Sequence, residues 1–330
     1  MKALAIENYG KKPNFLDFPM PKINNDEVLA EIYAASINPL DTKIRKGELK
    51  LLLKYTMPLI LGNDFSGKIV EVGTSVTKFK VGDEVYGRPR ANKMGTFTEY
   101  LSVNQEDIAL KPKNLSFEEA ASIPLVGLTS YQALHDILQI EKGHKILIHA
   151  GSGGVGTFAI QLAKYMGAFV ATTASGGSDL VKSLGADEII NYKTEKFAHS
   201  IRDYDAVLDT MGGATLERSF VTLKKEGKIV SISGIPNGRF AKENGFSPFK
   251  KTLFSIASYK LMKLEKKHNV QYTFLFMKHS GDQLKILTEM LESEVIKPTL
   301  DKVFIFEDAQ KALEYAEAGR AKGKIIIKLK

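Results

Sequence analysis

The 330-residue chain is 44% hydrophobic and 25% charged, a composition that supports two globular domains and excludes a disordered protein. It has no cysteine, which excludes disulfides, thiolate nucleophiles and cysteine-ligated zinc; its six histidines form no H-x-x-x-H or H-E-x-x-H pair, so a metal-free mechanism is the default. The formal charge of +8 suits a phosphate-bearing ligand or nucleic acid, but the lysines fall on amphipathic stretches such as KLMKLEKKHN, which favours a solvated helix face over a nucleic-acid groove.

The opening MKALAIENYG starts with strand-like alternation and not with a leader, and no apolar run reaches the ~18 residues of a spanning helix, so a cytoplasmic, membrane-free protein is expected. EVLAEIYAAS, SGKIVEVG, DEVYGR and FTEYLSV then read as short strands separated by turn residues. The texture turns helical at SFEEAASIPLVGLTSYQALHDIL, where Ser116 and Glu119 have the spacing of a capping box. From KILIHA onward strands and helices alternate: TFAIQLAKYMG, FVATTA, SDLVKSLG, DEIIN, EKFAHSI, DAVLDT, LERSFVTLK and GKIVSIS. This predicts βαβ units and a doubly wound parallel sheet, an α/β fold. Further on, FKKTLFSIASYKLMKLEKK reads as one basic amphipathic helix, VQYTFLFM as a strand, SGDQLKILTEMLES as a capped helix and GKIIIKL as a last strand.

Within AGSGGVG, Gly151, Gly153 and Gly156 form G-x-G-x-x-G directly after a strand and at the opening of a helix, the context a dinucleotide fingerprint requires. The reading assigns Gly151 to a tight turn, Gly153 to close approach of a pyrophosphate and Gly156 to helix packing. Ser152, Gly154 and Val155 complete a row of backbone amides at the positive end of the helix dipole. At the end of the second strand, where an NAD-binding chain places a carboxylate for the ribose 2′-hydroxyl, this one has TTASGGS. Thr173, Ser175 and Ser178 can donate to a 2′-phosphate that a carboxylate would repel, with Lys182, Tyr192 and Lys193 nearby in sequence. NADP(H) is therefore the expected cofactor.

Ordered blocks spread over the chain resemble the medium-chain dehydrogenase/reductase superfamily, in its zinc-free quinone oxidoreductase-like branch. They include INPLDTKIRKG (37–47), LGNDFSGKIVEVGTSVTKFKVGDEVYG (61–87), GTFTEYLSV (95–103), AASIPLVGLTSYQAL (120–134), AGSGGVGTFAIQLAK (150–164), LGADEIINY (184–192), VLDTMGG (207–213) and GRAKGKIII (319–327). The resemblance implies a GroES-like β-rich catalytic domain built from residues 1–122 and 280–330, a Rossmann NADP-binding domain at 123–279, and a homodimer. Zinc-dependent relatives carry a cysteine at the position of Asn38 and a His-Glu pair at those of Asn63 and Asp64, so the resemblance implies no zinc here.

By the same resemblance, Asn38 and Thr129 lie against the nicotinamide and its ribose. Asp41 and Lys43, read as lying in one loop, are candidates for a catalytic polar pair near substrate, with Lys43 as electrophile or proton donor; a structural turn or salt bridge for Asp41 and a solvated loop lysine are the bland alternatives. Thr210, Gly212, Ser233 and Gly234 end strands where a cofactor lies. Phe274 and Phe276 are placed on the strand beside the nicotinamide and the dimer contact, with core packing as an equal account. Arg320 and Lys324 are placed at the cofactor phosphates, against a surface-charge alternative. The expected activity is hydride transfer from NADPH to a quinone or α,β-unsaturated carbonyl. An enoyl-thioester reductase and a non-catalytic NADPH-binding protein are the alternatives.

Overall fold

The computed structural model describes all 330 residues and divides into two compact units, residues 1–128 with 278–330, and residues 129–277. The sequence reading breaks the chain at 122/123. No loop separates the units there: the helix Pro124–Tyr131 runs through the boundary, and the Leu125 amide donates to Asp64 of the first unit at 2.8 Å.

The second unit holds a six-stranded, all-parallel sheet in the spatial order Glu188–Asn191, Phe169–Ala174, Lys145–Ile148, Tyr204–Asp209, Leu223–Ser231, Gln271–Phe274. Numbered along the chain this is 3-2-1-4-5-6, the doubly wound arrangement, whose direction reverses between the first and fourth strands. The strands are apolar on both faces, and Leu147, Val207, Ile229 and Tyr272 meet in one core. The expected single basic helix is two, Pro248–Ala257 and Tyr259–His268, separated at buried Ser258 (φ −90°, ψ 3°).

The first unit is built on the long strand Glu27–Ile37, which pairs antiparallel with Asp64–Val72 and Tyr100–Asn104, and with Lys324–Lys328 from the far end of the chain. Register sets Ser36 opposite Asp64 and Ile325 opposite Ile37. Residues distant in sequence therefore come together at one strand end. The capping box expected at Ser116 is present: its Oγ accepts from Glu119 N at 3.2 Å, and Glu119 Oε2 accepts from Ser116 N at 2.8 Å. Pro124 then divides the expected long helix, which widens to a π-helix over Gln132–Ile137.

INPLDTKIRKG is a helix, Pro39–Lys46, and not a loop. Pro39 opens the first turn, Asp41 accepts from the backbone N–H of Asn38 at 2.7 Å, and Gly47 closes the helix with φ 76°. These are start and stop signals in their proper places.

Candidate active site

The glycine loop lies at the carboxyl end of Lys145–Ile148, beside the point where strand order reverses. Its glycines divide their tasks differently from the expectation. A Cβ on Gly151 would meet Thr172 Oγ1 at 2.1 Å, so its constraint is the neighbouring strand and not a left-handed turn. A Cβ on Gly156 would meet Ala150 O at 2.4 Å and Gly151 Cα at 2.6 Å, so it packs on the loop itself. Gly153 meets only Ala150 O, at 3.3 Å, and is the open one. The residue with positive φ is Ala150, at 53°. The first i→i−4 bond of the helix Gly154–Tyr165 is Thr157 N to Gly153 O. The amides of residues 154–156 thus lack an intrahelical acceptor and suit a phosphate.

Behind the loop is a closed set of hydrogen bonds. Thr173 Oγ1 accepts from Ala150 N at 3.0 Å, and Thr173 O accepts from Gly151 N at 3.0 Å. Ser219 Oγ donates to Thr215 O, so it accepts from His149 Nε2–H at 2.8 Å; His149 Nδ1 is left to accept from the Thr173 hydroxyl at 3.3 Å. Burial pushes the imidazole down to about 4, so it is neutral at pH 7. Thr210 Oγ1 donates to His149 O at 3.0 Å. At the next strand end, buried Asp209 accepts from the amides of Met211 and Gly212 and from Ser231 Oγ. Burial raises the Asp209 carboxyl above its ordinary range.

The cofactor candidates fall into two groups. Ser152, Gly153, Gly154 and Val155 line the partly open loop, Ser175 and Ser233 are half-buried, and Ser178, Tyr192, Lys182 and Lys193 have exposed side chains. Thr173 and Thr210 instead hold the loop with their hydroxyls. A Cβ on Gly234 would meet Tyr272 Oη at 2.4 Å, and one on Gly212 would meet Ser233 O at 2.3 Å, so both glycines serve packing. Thr129 is buried in its helix. Phe274 ends its strand, Phe276 lies beyond it, and both rings pack on Phe240 at centroid distances of 5.1 and 6.4 Å. Arg320 is exposed.

The first unit carries a different kind of network. Asp64, fully buried, accepts from Ser36 Oγ (2.6 Å), Asn38 Nδ2 (2.9 Å) and Leu125 N (2.8 Å). The Lys324 ammonium donates to Ile37 O at 3.2 Å and Asn38 Oδ1 at 2.5 Å, and lies 3.4 Å from Asp64 Oδ2. It is buried here, and not extended toward phosphates as expected, because the register of the last strand delivers it to this corner. Burial pulls the ammonium's proton affinity down against the pull of Asp64 and Asp41. Asn38 is held inside the same network by both ends of its side-chain amide.

Asp41 is also fully buried, accepting from Asn38 N and, at 2.8 Å, from Asn63 Nδ2. Desolvation pushes its carboxyl up to about 6. Lys43, two residues on in the same helix, forms no bond with Asp41; the expected pair does not form, and Lys324 supplies the nearby cation. Four buried side-chain polar atoms have no partner: Tyr55 Oη, Asn63 Oδ1, Arg88 Nε and Thr96 Oγ1, all in this unit. Sequence reasoning missed Tyr55, Arg88 and Thr96, as it missed His149 and Asp209. An arginine after the apolar strand residues of EVYG was the one available hint.

Zinc is a poor fit to this corner. Two amides and one carboxylate replace the Cys-His-Glu set, and an ammonium already lies on the oxygens of Asn38 and Asp64. The glycine loop, by contrast, fits a dinucleotide.

A doubly wound sheet with a phosphate-ready glycine loop, joined in one chain to a β-rich unit carrying a buried charged network, defines a dinucleotide-dependent dehydrogenase or reductase. The alcohol dehydrogenase GroES-like domain family matches residues 24–113, and the zinc-binding dehydrogenase family matches residues 184–327. A 2-methylene-furan-3-one reductase from Solanum lycopersicum is 35% identical over 99% of this chain and 79% of its own length. The quinone oxidoreductase of Coxiella burnetii superposes with a TM-score of 0.85 at 31% identity, covering 100% of this chain and 99% of that one. The Escherichia coli quinone oxidoreductase complexed with NADPH does so with a TM-score of 0.84 at 26% identity, covering 100% of both. The chain belongs to the zinc-free quinone oxidoreductase branch of the medium-chain dehydrogenase/reductase superfamily and is an oxidoreductase.

Proposed function

We propose that this enzyme reduces a quinone or an α,β-unsaturated carbonyl with NADPH, without a metal. The observation that carries the reading is the buried Lys324 ammonium on Asn38 and Asp64, in the corner where zinc-dependent relatives set their ligands. Deprotonating a simple alcohol is hard near pH 7 without a metal to lower the hydroxyl pKa. A conjugated acceptor avoids that step, because its incoming electron pair delocalises onto oxygen. When bound, NADPH supplies the hydride. The chain's own part is to bind, orient and exclude water: the amides of residues 154–156 would hold the pyrophosphate, and Gly153 lets it approach.

The choice of NADPH over NADH follows from the strand end after Ala174. No carboxylate precedes Asp179, and the exposed side chains of Ser178, Tyr192, Lys182 and Lys193 can serve a 2′-phosphate. NADPH should raise the melting temperature more than NADH at equal concentration. The reverse ranking defeats this cofactor assignment.

The activity test mixes the protein and NADPH with a panel of quinones, 2-alkenals and enoyl thioesters, after chelator treatment. Oxidation of NADPH by quinones or alkenals, unaffected by the chelator, is the expected result. Turnover of enoyl thioesters alone would replace the reading with an acyl-thioester reductase, and tight binding without turnover of any acceptor would overturn it. No helix is long and apolar enough to cross a membrane, and a cytoplasmic setting is part of the proposal. A homodimer is too: Gln271–Phe274 is an edge strand with one side open to pairing, and light scattering would check it.

A further inference from the structure

Arg88 follows the strand Glu84–Gly87 and is 3% exposed. Its Nε has no hydrogen-bond partner, and its guanidinium forms no ion pair. Taking an arginine out of water without a partner is among the costlier acts a fold performs. Structural arginines in such places are paired by carboxylates. Three carboxylates are near enough for their charges to act on Arg88, and each is engaged elsewhere. Asp64 is held by Ser36, Asn38, Leu125 and Lys324. Asp41 is held by Asn38 and Asn63. Asp107 takes three bonds from Arg90, each of 2.9 Å, and has His279 Nε2 at 3.6 Å.

The Tyr55 hydroxyl lies within the charge field of both Arg88 and Asp41, and it too is buried without a partner. Two buried donors within reach of each other's charge, a guanidinium Nε–H and a phenol O–H, are therefore left without a protein acceptor. A guanidinium, always charged and with donors only, calls for an anion. Lys324 lies on Asp64 and Arg90 on Asp107, while Asp41 is bonded by Asn38 N and Asn63 Nδ2. Of these cations, Arg88 is the one with no carboxylate in hydrogen-bond contact.

We propose that Arg88 and Tyr55 together receive an anionic oxygen of the acceptor substrate. The proposal rests on the reductase reading for which oxygen this is. One source is the oxygen on which charge develops: the acceptor carbon gains a hydride as the nicotinamide is oxidised, its π bond shifts, and the electron pair comes to rest on oxygen. The guanidinium and the phenol donate to that oxygen until a proton from water completes the product. The other source is a carboxylate substituent borne by the acceptor. Both need the same receptor.

The test compares wild type with Arg88→Met and Tyr55→Phe in the NADP⁺-loaded protein, using benzoate and the uncharged isostere benzamide as probes. Benzoate should bind wild type, and Arg88→Met should weaken it by about tenfold or more, with benzamide and NADP⁺ affinities unchanged. Kinetics with 1,4-benzoquinone and a carboxylated benzoquinone then separate the sources. A fall in kcat of about 10²-fold for both acceptors marks the developing oxyanion, whereas a rise in KM confined to the carboxylated acceptor marks the substituent. Because no protein group pairs with Arg88, Arg88→Met should also raise Tm; a structural arginine would lower it. Tyr55→Phe loses no protein hydrogen bond and keeps the test open if Arg88→Met misfolds. Should Arg88→Met, or Tyr55→Phe in its place, leave benzoate binding and both kcat/KM values at wild-type levels, the proposal fails. A wild type that binds benzoate through Arg88 but turns over no acceptor would defeat the reductase reading alone.

Discussion

The two units bury polar groups in opposite ways. In the nucleotide-binding unit each buried polar side chain of the His149 set has a partner: His149 with Ser219 and Thr173, Thr210 with the His149 carbonyl, Asp209 with Met211, Gly212 and Ser231. In the GroES-like unit charges are buried, and four polar atoms are left over. A closed network fixes the shape of a backbone surface, and a backbone surface is what recognises a pyrophosphate. An open network keeps donors available at a cost in stability, which makes sense only where another molecule completes it.

The largest expected effect breaks the charged network. Lys324→Met leaves Asp64 buried without its cation and should cost about 3–5 kcal/mol in urea unfolding; adding Asp64→Asn in the same chain should recover part of the loss. If Lys324→Met is neutral, the ion pair is not what holds the first unit's strand ends together.

Next comes acidity, which acts on the two units with opposite sign. Asp41 has its pKa raised from 3.8 to about 6, so the folded state holds the extra proton, and stability falls as pH rises across that window. His149 has its pKa lowered from 6.5 to about 4, so the unfolded state holds the extra proton, and stability falls as pH drops across its window. Each contributes about 3 kcal/mol over its range, and in the wild type they largely offset each other between pH 4 and 6. Asp41→Asn should therefore make Tm climb more steeply with pH in this interval, and His149→Gln should make it decline. Asn63, whose Oδ1 is unpartnered, can turn its amide to accept from the new asparagine. Parallel pH profiles for the two variants would erase the contrast between the units.

The glycines sharpen the comparison inside the closed unit. Gly156→Ala drives a Cβ to 2.4 Å from Ala150 O and should weaken NADPH binding by about 10²-fold, or about 2.7 kcal/mol, in a fluorescence titration. Gly153→Ala, with its 3.3 Å neighbour, should fold normally and lose less. The smallest pair sets hydroxyl against hydroxyl. Thr173→Val strips partners from Ala150 N and His149 Nδ1 and should destabilise by about 1–3 kcal/mol. Thr96→Val removes an oxygen that bonds nothing and should be neutral or stabilising by about 1 kcal/mol. Equal losses in thermal unfolding would show Thr96 to be no less engaged than Thr173.

Much of the nucleotide-binding unit was legible in sequence, because its signals are local. Strand, glycine loop and helix follow one another within 25 residues, and the βα alternation that continues beyond them is the sheet. The cap at Ser116 was local as well. What could not be read depends on register. Lys324 reaches Asn38 only because Ile325 lies opposite Ile37, and nothing near either residue announces that pairing. The helix Pro39–Lys46 was read as a loop, although Asn38, Pro39, Asp41 and Gly47 are its start and stop signals, because it is only eight residues long and Leu40 and Ile44 are its only large apolar residues. Asp41 and Lys43 looked like partners on proximity in sequence, yet two steps along a helix point to different sides. The Thr173 and Thr210 hydroxyls were assigned to the cofactor because a sequence lists donors without saying which are already taken.

The separation of 286 positions between Asn38 and Lys324 also imposes an order of events. A ribosome delivers Asn38, Asp41 and Asp64 long before it delivers the lysine, and until then those carboxylates belong in water. The growing chain therefore has reason to leave the heart of its β-rich unit wet and unsettled while the nucleotide-binding half, contiguous from 129 to 277, can already mature. Catalytic competence would then arrive late and all at once, when the closing strand zips into place.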